Sequence, residues 1–410
     1  MGKYIGLLGT LDTKSEYIAY IKEEVRKRGH IPVVMDISMG GGDTLLKADV
    51  SAAEMAKAGG MDIQEVRNFK GKDKISKVMT LGATRKVNEL YVTKKLDGIM
   101  ALGGMTAALM CSKVLQGLPF GIPKLMVSSG VASKGIASRC FGSKDISLMY
   151  SMVDFVGFNK LLNDVLLRSV GAICGMVEMK GDCGPSMSRA SGRPLAAMSV
   201  MGGANHCIQA VTQKLEELGY EIVSFMADGT GDMAMEDLIR EDFFKFVLDL
   251  SPGAVGEELF GGTRAAGPTR LEAAGERGVP QIVAPLLVNM MTPPKSRYKP
   301  EYATRKRMDL DALRTWIRLS PEELRMVARV FAEKLNKSRG QVKFLVPLQG
   351  WNHLDKEGSP IYEPKTDKIF AEELKKHLKP GIEIREVDAN IDDTAFAQAV
   401  VSAFKEMVTF

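Results

Sequence analysis

An α/β protein of two Rossmann-like domains, each an open parallel sheet of three-layer αβα type, with a cleft between them, follows from three features. Short apolar runs end repeatedly in glycine and lead into amphipathic helical stretches. The opening series of elements recurs in the second half. The chain has 410 residues, more than the roughly 250–300 at which single cores stop growing. The expected limits are 1–180 for a nucleotide-binding domain, 181–193 for a linker and 194–410 for the second domain.

The first run, Lys3–Leu8, is almost wholly apolar, as a strand buried on both faces should be. Gly9-Thr10 ends it, and a helix is expected over Thr13–Arg28. Thr13 and Glu16 have capping-box spacing, and Gly29 is the expected stop. Ile31–Ile37 is the next strand, which makes a right-handed β-loop-α-β unit. Further elements are a helix over Lys77–Lys95, a strand over Asp97–Leu102, a helix over Thr106–Gln116 and a strand over Lys124–Ser128. Leu161–Met179 reads as a helix, and the Gly/Ser/Pro-rich segment Gly181–Pro194 reads as the linker.

Beyond it the opening theme returns: strand Leu195–Met201, glycines 202 and 203, helix Asn205–Leu218, stop Gly219 and strand Ile222–Met226. Later pieces are strands at Gln281–Ala284, Val342–Val346 and Glu383–Val387. Helices are expected at Pro321–Asn336, Ala371–Leu378 and Asp393–Phe404.

Composition narrows the function classes. A net charge of +5, from 55 basic and 50 acidic residues, is a mild bias on so long a chain. The basic stretches Lys70–Lys77 and Lys295–Arg307 hold few aromatics for stacking, so both read as solvated faces and nucleic acid is not the expected partner. Five scattered cysteines without a C-x-x-C pair argue against a disulfide framework and a structural zinc site, and no metal site is expected. No apolar run approaches the ~18 residues of a bilayer span, so no membrane contact is expected. A cytoplasmic homodimer is the default expectation.

Ligands of open α/β sheets bind outside the carboxyl ends of the strands. In the first domain those loops are Gly9–Lys14, Asp36–Gly42, Gly103–Ala108 and Ser128–Gly130. Glycines let a backbone approach a ligand, and helix starts offer free N–H groups and a positive dipole end to anions. Lys14 adds a point charge suited to phosphate; Asp12 or Asp36 can hold a ribose hydroxyl or a magnesium water. There is no G-x-x-x-x-G-K-[ST] and no G-x-G-x-x-G opening a helix, so the chain is neither a P-loop enzyme nor a standard dinucleotide binder.

In the second domain, Asp228-Gly229-Thr230-Gly231 follows a strand, and Arg264 and Arg270 lie on glycine-rich turns. Two readings stand for the arginines: bidentate partners of a small anionic substrate, or surface ion pairs with Glu272 or Glu276. His353 with Asp355 is either an acid/base pair or a loop histidine satisfied by backbone; His30 and His377 read as solvent-facing caps.

Several motifs carry a resemblance. They are Gly9-Thr10-Leu11-Asp12-Thr13-Lys14, Ala101-Leu102-Gly103-Gly104, Gly142–Ile146, Gly229-Thr230-Gly231 with Ala234–Leu238, and Asn390–Ala397. In order and spacing they resemble the ATP-binding domain family of the tomato mosaic virus resistance protein, an inhibitor of viral RNA replication. The resemblance covers nearly the whole chain. It implies an ATP site in the first domain, and the Asp12 or Asp36 carboxylate read above would bring magnesium with it. The site it implies comprises Asp12, Thr13 and Lys14, then Met39, then Gly104, Met105, Thr106, Ala107 and Ala108; the strand-end loops themselves add Ser38 and Gly103. It extends to Ser76 and Lys77 at a helix start. The family's G-G-S-G-G-T loop is Gly104-Met105-Thr106-Ala107-Ala108 here, with fewer glycines. An ATP-dependent enzyme for a small anionic substrate and a non-catalytic, nucleotide-gated interaction module are both compatible with the resemblance.

Overall fold

The computed structural model describes residues 2–41, 44–179 and 192–408. The chain divides into two compact units, Met1–Gly184 and Pro185–Phe410. Most of the expected linker, 181–193, lies outside the described residues.

The first unit runs β1 (Tyr4–Gly9), α1 (Leu11–Lys27), β2 (Ile31–Asp36), α2 (Ala52–Gly59), α3 (Ile63–Asn68), α4 (Lys72–Val92), β3 (Gly98–Gly103), α5 (Met105–Gln116), β4 (Lys124–Ser128), α6 (Ile136–Phe141), β5 (Ser147–Tyr150) and α7 (Lys160–Glu178). Its strands pair in parallel in the order β2-β1-β3-β4-β5. The period of two along each strand builds the layers. Ile5, Leu7, Met100, Leu102, Leu125 and Val127 meet α1 and α7 on one face. Leu8, Ile99, Ala101 and Met126 meet α2, α4 and α5 on the other.

The second unit runs β6 (Leu195–Val200), α8 (Asn205–Glu217), β7 (Glu221–Met226), α9 (Thr230–Arg240), β8 (Phe246–Asp249), α10 (Ala254–Phe260), α11 (Ala273–Arg277), β9 (Gln281–Val283), β10 (Met290–Met291), β11 (Arg307–Asp309), β12 (Thr315–Arg318), α12 (Pro321–Asn336), β13 (Val342–Pro347), α13 (Pro364–His377), β14 (Glu383–Val387) and α14 (Thr394–Met407). The order β14-β13-β9-β8-β6-β7 is again parallel throughout. Helices α8 and α14 cover one face; α9, α11, α12 and α13 cover the other. A three-stranded antiparallel flap, β10-β12-β11, is inserted between β9 and α12.

Several local expectations need correction. Thr13 and Glu16 form no capping box. Helix α1 starts at Leu11, whose buried side chain belongs to the α1 core, and Thr10 is the N-cap without a side-chain cap bond. Gly29 does take the left-handed conformation, at φ +82°. Helix α4 begins at Lys72, so Ser76 and Lys77 lie in its second turn rather than at its start. Helix α13 begins at Pro364, a residue pre-set for the first helical position, rather than at Ala371. His30 is buried rather than a solvent-facing cap: its Nδ1 accepts from the Lys3 N–H at 3.3 Å, and its Nε2 lies 2.9 Å from Glu178 Oε1.

Two glycines of the first unit sit at close approaches. A Cβ on Gly82 of α4 would lie 1.7 Å from the Met55 carbonyl oxygen, so α2 and α4 touch backbone to backbone there. A Cβ on Gly40 would lie 2.7 Å from Asp12 Oδ2.

Candidate functional site

Strand order 2-1-3-4-5 reverses between β1 and β3, and the crevice at such a switch point is where doubly wound sheets bind ligands. In the first unit that crevice holds a cavity of about 360 Å³. Thr10, Asp12, Thr13 and Lys14 from the turn after β1, Met39 and Gly40 after β2, and Gly104, Met105, Thr106, Ala107 and Met110 at the start of α5 line it.

The amides of the two helix starts are in different states. At α1, the Leu11 N–H donates to Asp36 Oδ1 at 3.1 Å and the Asp12 N–H to Ser38 Oγ at 3.2 Å. Asp36 Oδ1 also accepts from the Ser38 N–H at 3.0 Å and from the Ser38 hydroxyl. Asp36 is thus committed to holding the loops after β1 and β2 together. Of the two carboxylates considered for ribose or magnesium, Asp12 is the one facing the cavity, and its buried Oδ1 has no hydrogen-bond partner. At α5 no side chain caps the first turn and no acidic residue stands in it, so the positive end of a 12-residue helix faces the cavity.

The remaining side chains divide between lining and support. Lys14 Nζ donates to the Phe155 carbonyl at 2.9 Å and lies over the Tyr17 and Phe155 rings, so its ammonium is parked at the cavity's edge. Ser76 Oγ lies 3.5 Å from the sulfurs of both Met39 and Met110, tying α4 to the lining. Ser38, Gly103 and Ala108 are buried behind the wall, with Ala107 packed against Gly103. Lys77 points outward to Asp73 at 2.7 Å and is not part of the site. Met110 also lines the cavity; its one sequence signal is its place a turn after Thr106, hidden among the apolar residues of α5.

The second unit corrects the substrate expectation. Arg270 is 1% exposed. Its guanidinium donates to Asp232 at 2.7 Å, to Glu236 at 3.2 Å and bidentately to Asp249. Neither a free anion receptor nor a surface pair with Glu272 or Glu276, it is the centre of a buried ionic cluster. Burial pushes Asp232 and Glu236 above the usual carboxylate range, against the pull of Arg270. Arg264 is turned inward as well, with two nitrogens on Glu257 Oε1 at 3.0 and 2.7 Å. Asp228 caps its own turn, accepting from the Gly231 N–H at 2.9 Å, while Gly229 N–H donates to Asp232. Thr230 opens α9 on the exposed side.

His353 and Asp355 do not pair. Asp355 is buried against Arg318, Asn289 and the Trp351 N–H, while exposed His353 donates its N–H to Gly203. The structure instead pairs His206 Nδ1 with Asp392 Oδ2 at 2.9 Å, a contact between residues 186 apart that no sequence pattern announces.

Arg318 joins two buried carboxylates, Asp355 and Asp367, with Glu363 at 3.8 Å beside them. Burial, aided by the Asp355 charge, pushes Asp367 up to about 7 although Arg318 and Asn289 pull the other way. A carboxyl raised in the folded state contributes stability that is complete below its unfolded value near 4 and is lost as pH rises toward 7. Asp367→Asn is therefore expected to flatten the pH dependence of thermal unfolding over that window. Melts followed by tryptophan fluorescence at fixed ionic strength check this, and an unchanged slope would refute it.

The four described cysteines, Cys111, Cys140, Cys174 and Cys207, are buried and unpaired. Burial raises the Cys111 and Cys207 thiols to about 12, which makes them inert. Among the described residues no helix is long and apolar enough to cross a membrane, and no group of three His, Cys, Asp or Glu could hold a metal ion.

The sequence has relatives. A UPF0261 protein of Clostridium tetani is 34% identical over 415 residues, covering 100% of both chains. A UPF0261 protein of Brucella suis is 29% identical, over 98% of this chain and 95% of its own. The tomato ToMV resistance protein Tm-1(GCR237) is 28% identical over 98% of this chain, which spans 55% of that longer protein. Among solved structures, a putative UDP-N-acetylglucosamine 2-epimerase from Listeria monocytogenes aligns over 99% of this chain and 98% of its own at 13% identity, with a TM-score of 0.22. So low a score transfers no activity. The models of the uncharacterised protein family UPF0261 match residues 3–182 with its N-terminal domain and 193–408 with its C-terminal domain, and the chain belongs to that family.

Proposed function

We propose that the first unit binds ATP, with magnesium, in the crevice between the loops after β1, β2 and β3. The observation that carries the reading is the junction of an uncapped α5 N-terminus with a buried, partnerless Asp12 oxygen across one cavity of about 360 Å³. The amides of Met105, Thr106 and Ala107 receive the phosphate oxygens. Lys14 exchanges the Phe155 carbonyl for phosphate. Asp12 supplies the single protein carboxylate that a magnesium ion shared with phosphates needs. The polarisable sulfurs of Met39 and Met110 offer a surface for the base.

Calorimetry with ATP and magnesium on the full chain tests the reading. Saturable binding is expected, with about 2.7 kcal/mol of stabilisation at a hundredfold excess over Kd. Thr106→Asp sets a carboxylate at the phosphate position, and Gly40→Val drives a side chain into Asp12 Oδ2. Each is expected to weaken binding about tenfold or more. Neither heat nor stabilisation with the unaltered chain would end the proposal.

A lining with one carboxylate and one ammonium group favours ATP as a ligand that orders the loops over ATP as a phosphoryl donor. Sustained release of ADP with any small carboxylate would reverse that preference and favour an ATP-dependent enzyme.

A further inference from the structure

A second cavity, of about 350 Å³, lies wholly within the second unit, between the carboxyl ends of β13 and β14 and the first turns of α13. One wall is apolar: Leu348 is exposed and Pro364 half-buried, with Trp351, Pro347 and Ala371 buried behind them. Two ammonium groups, Lys365 and Lys368, stand at the opening. Lys365 has no ion-pair partner among the described residues, and Lys368 reaches Glu372 only at 3.9 Å. The N-terminus of α13, a 14-residue helix, carries no side-chain cap, but Glu363 at its N-cap and Asp367 in its first turn offset its positive end, so the two lysines carry the attraction. Asp367 forms part of the floor.

We propose that this cavity binds a small amphipathic carboxylate, with its hydrocarbon body against Trp351 and the prolines and its anionic group between Lys365 and Lys368. The volume falls in the range of small-molecule pockets, and the division into an apolar wall and a cationic mouth fits such a ligand. Glu386 lines the opposite side and disfavours a dianion. The inference is independent of the nucleotide reading, because it uses no residue of the first unit.

Asp367 tunes the site. The groups facing it are Arg318, Asp355, Asn289 and Tyr362 within the fold, with Glu363 3.8 Å from the same Arg318, and Lys365, Lys368 and Glu386 around the cavity. Below about 7 its carboxyl is neutral and does not repel a bound anion. Binding is therefore tighter at pH 6 than at pH 8.

The chain has two tryptophans, so Trp316→Phe leaves Trp351 as the sole indole reporter. Octanoate is the probe, with octylamine as the charge-reversed control, both titrated against the full chain. A saturable change in Trp351 emission with octanoate is expected, about tenfold weaker in Lys365→Ala/Lys368→Ala. Lys375→Ala/Lys376→Ala, which removes the same charge from the far end of α13, leaves binding unchanged. Asp367→Asn abolishes the difference between pH 6 and pH 8. Octylamine binding as well as octanoate, no saturable response in the millimolar range, or equal losses in the two lysine pairs would each overturn the proposal.

Discussion

Arg270→Met is expected to lower the unfolding free energy of the second unit by about 3–5 kcal/mol. The guanidinium faces Asp232, Glu236 and Asp249, all buried, and Asp249 is tied to Ser199 at 2.7 Å between neighbouring strands β6 and β8. Removing the cation leaves three carboxyl groups in a low-dielectric interior, with backbone donors, Ser199 and, for Glu236, the long Arg240 contact at 3.4 Å to solvate them. Both tryptophans, Trp316 and Trp351, belong to this unit, so denaturation followed by their fluorescence reads its stability selectively. Adding Asp232→Leu and Glu236→Met is expected to recover part of the loss, since one buried carboxyl, Asp249 on Ser199, costs less than three without their cation. A midpoint unmoved by the single change would show that the cluster is not held by Arg270.

The complementary loss lies in the first unit. Gly82→Val should destabilise it by about 3 kcal/mol or more, at the upper end of overpacking effects. The new Cβ would lie 1.7 Å from the Met55 carbonyl oxygen and 2.7 Å from the Gly59 nitrogen, both backbone atoms that cannot rotate away. Helices α2 and α4 must part, and α4 then withdraws Ser76 from Met39 and Met110, so under the proposed nucleotide reading ATP binding is expected to weaken together with stability. Circular dichroism should show the weakened transition while the tryptophan transition of the second unit stays in place. If the ellipticity melt is unchanged, the backbone contact is not limiting.

The parallel sheets were legible because their signals are local. Runs such as Lys124–Ser128 and Glu383–Val387 show themselves by continuous apolarity or by flanking turns, and both coincide with strands β4 and β14. Helix α12 begins where its sequence says, because Ser320, Pro321 and Glu323 form a complete start signal. The flap was not readable: β10 has two residues and β11 three, too short for a period. Loops Gly9–Lys14 and Gly103–Ala108 were readable as candidate ligand loops from glycine and topology alone, and they line one cavity.

What sequence spacing could not supply was partnership across the chain. Arg270 looks like an anion receptor on a glycine-rich turn until Asp249, 21 residues earlier, and Asp232, 38 residues earlier, are seen around it. Asp36 likewise looks as available as Asp12 until Leu11 and Ser38 occupy it. Charge type is written in the sequence; charge occupancy is a tertiary property.

The flap gives the second unit a seam. Strands β10 and β12 join through two residue pairs, and Arg318 of β12 and Asn289 beside β10 are fastened by side chains to Asp355 and Asp367 rather than by a ladder to the parallel sheet. A protease that acts on transient openings should therefore nick the stretch 292–314 first, leaving a clipped chain whose six-stranded sheet remains whole and whose two fragments stay associated.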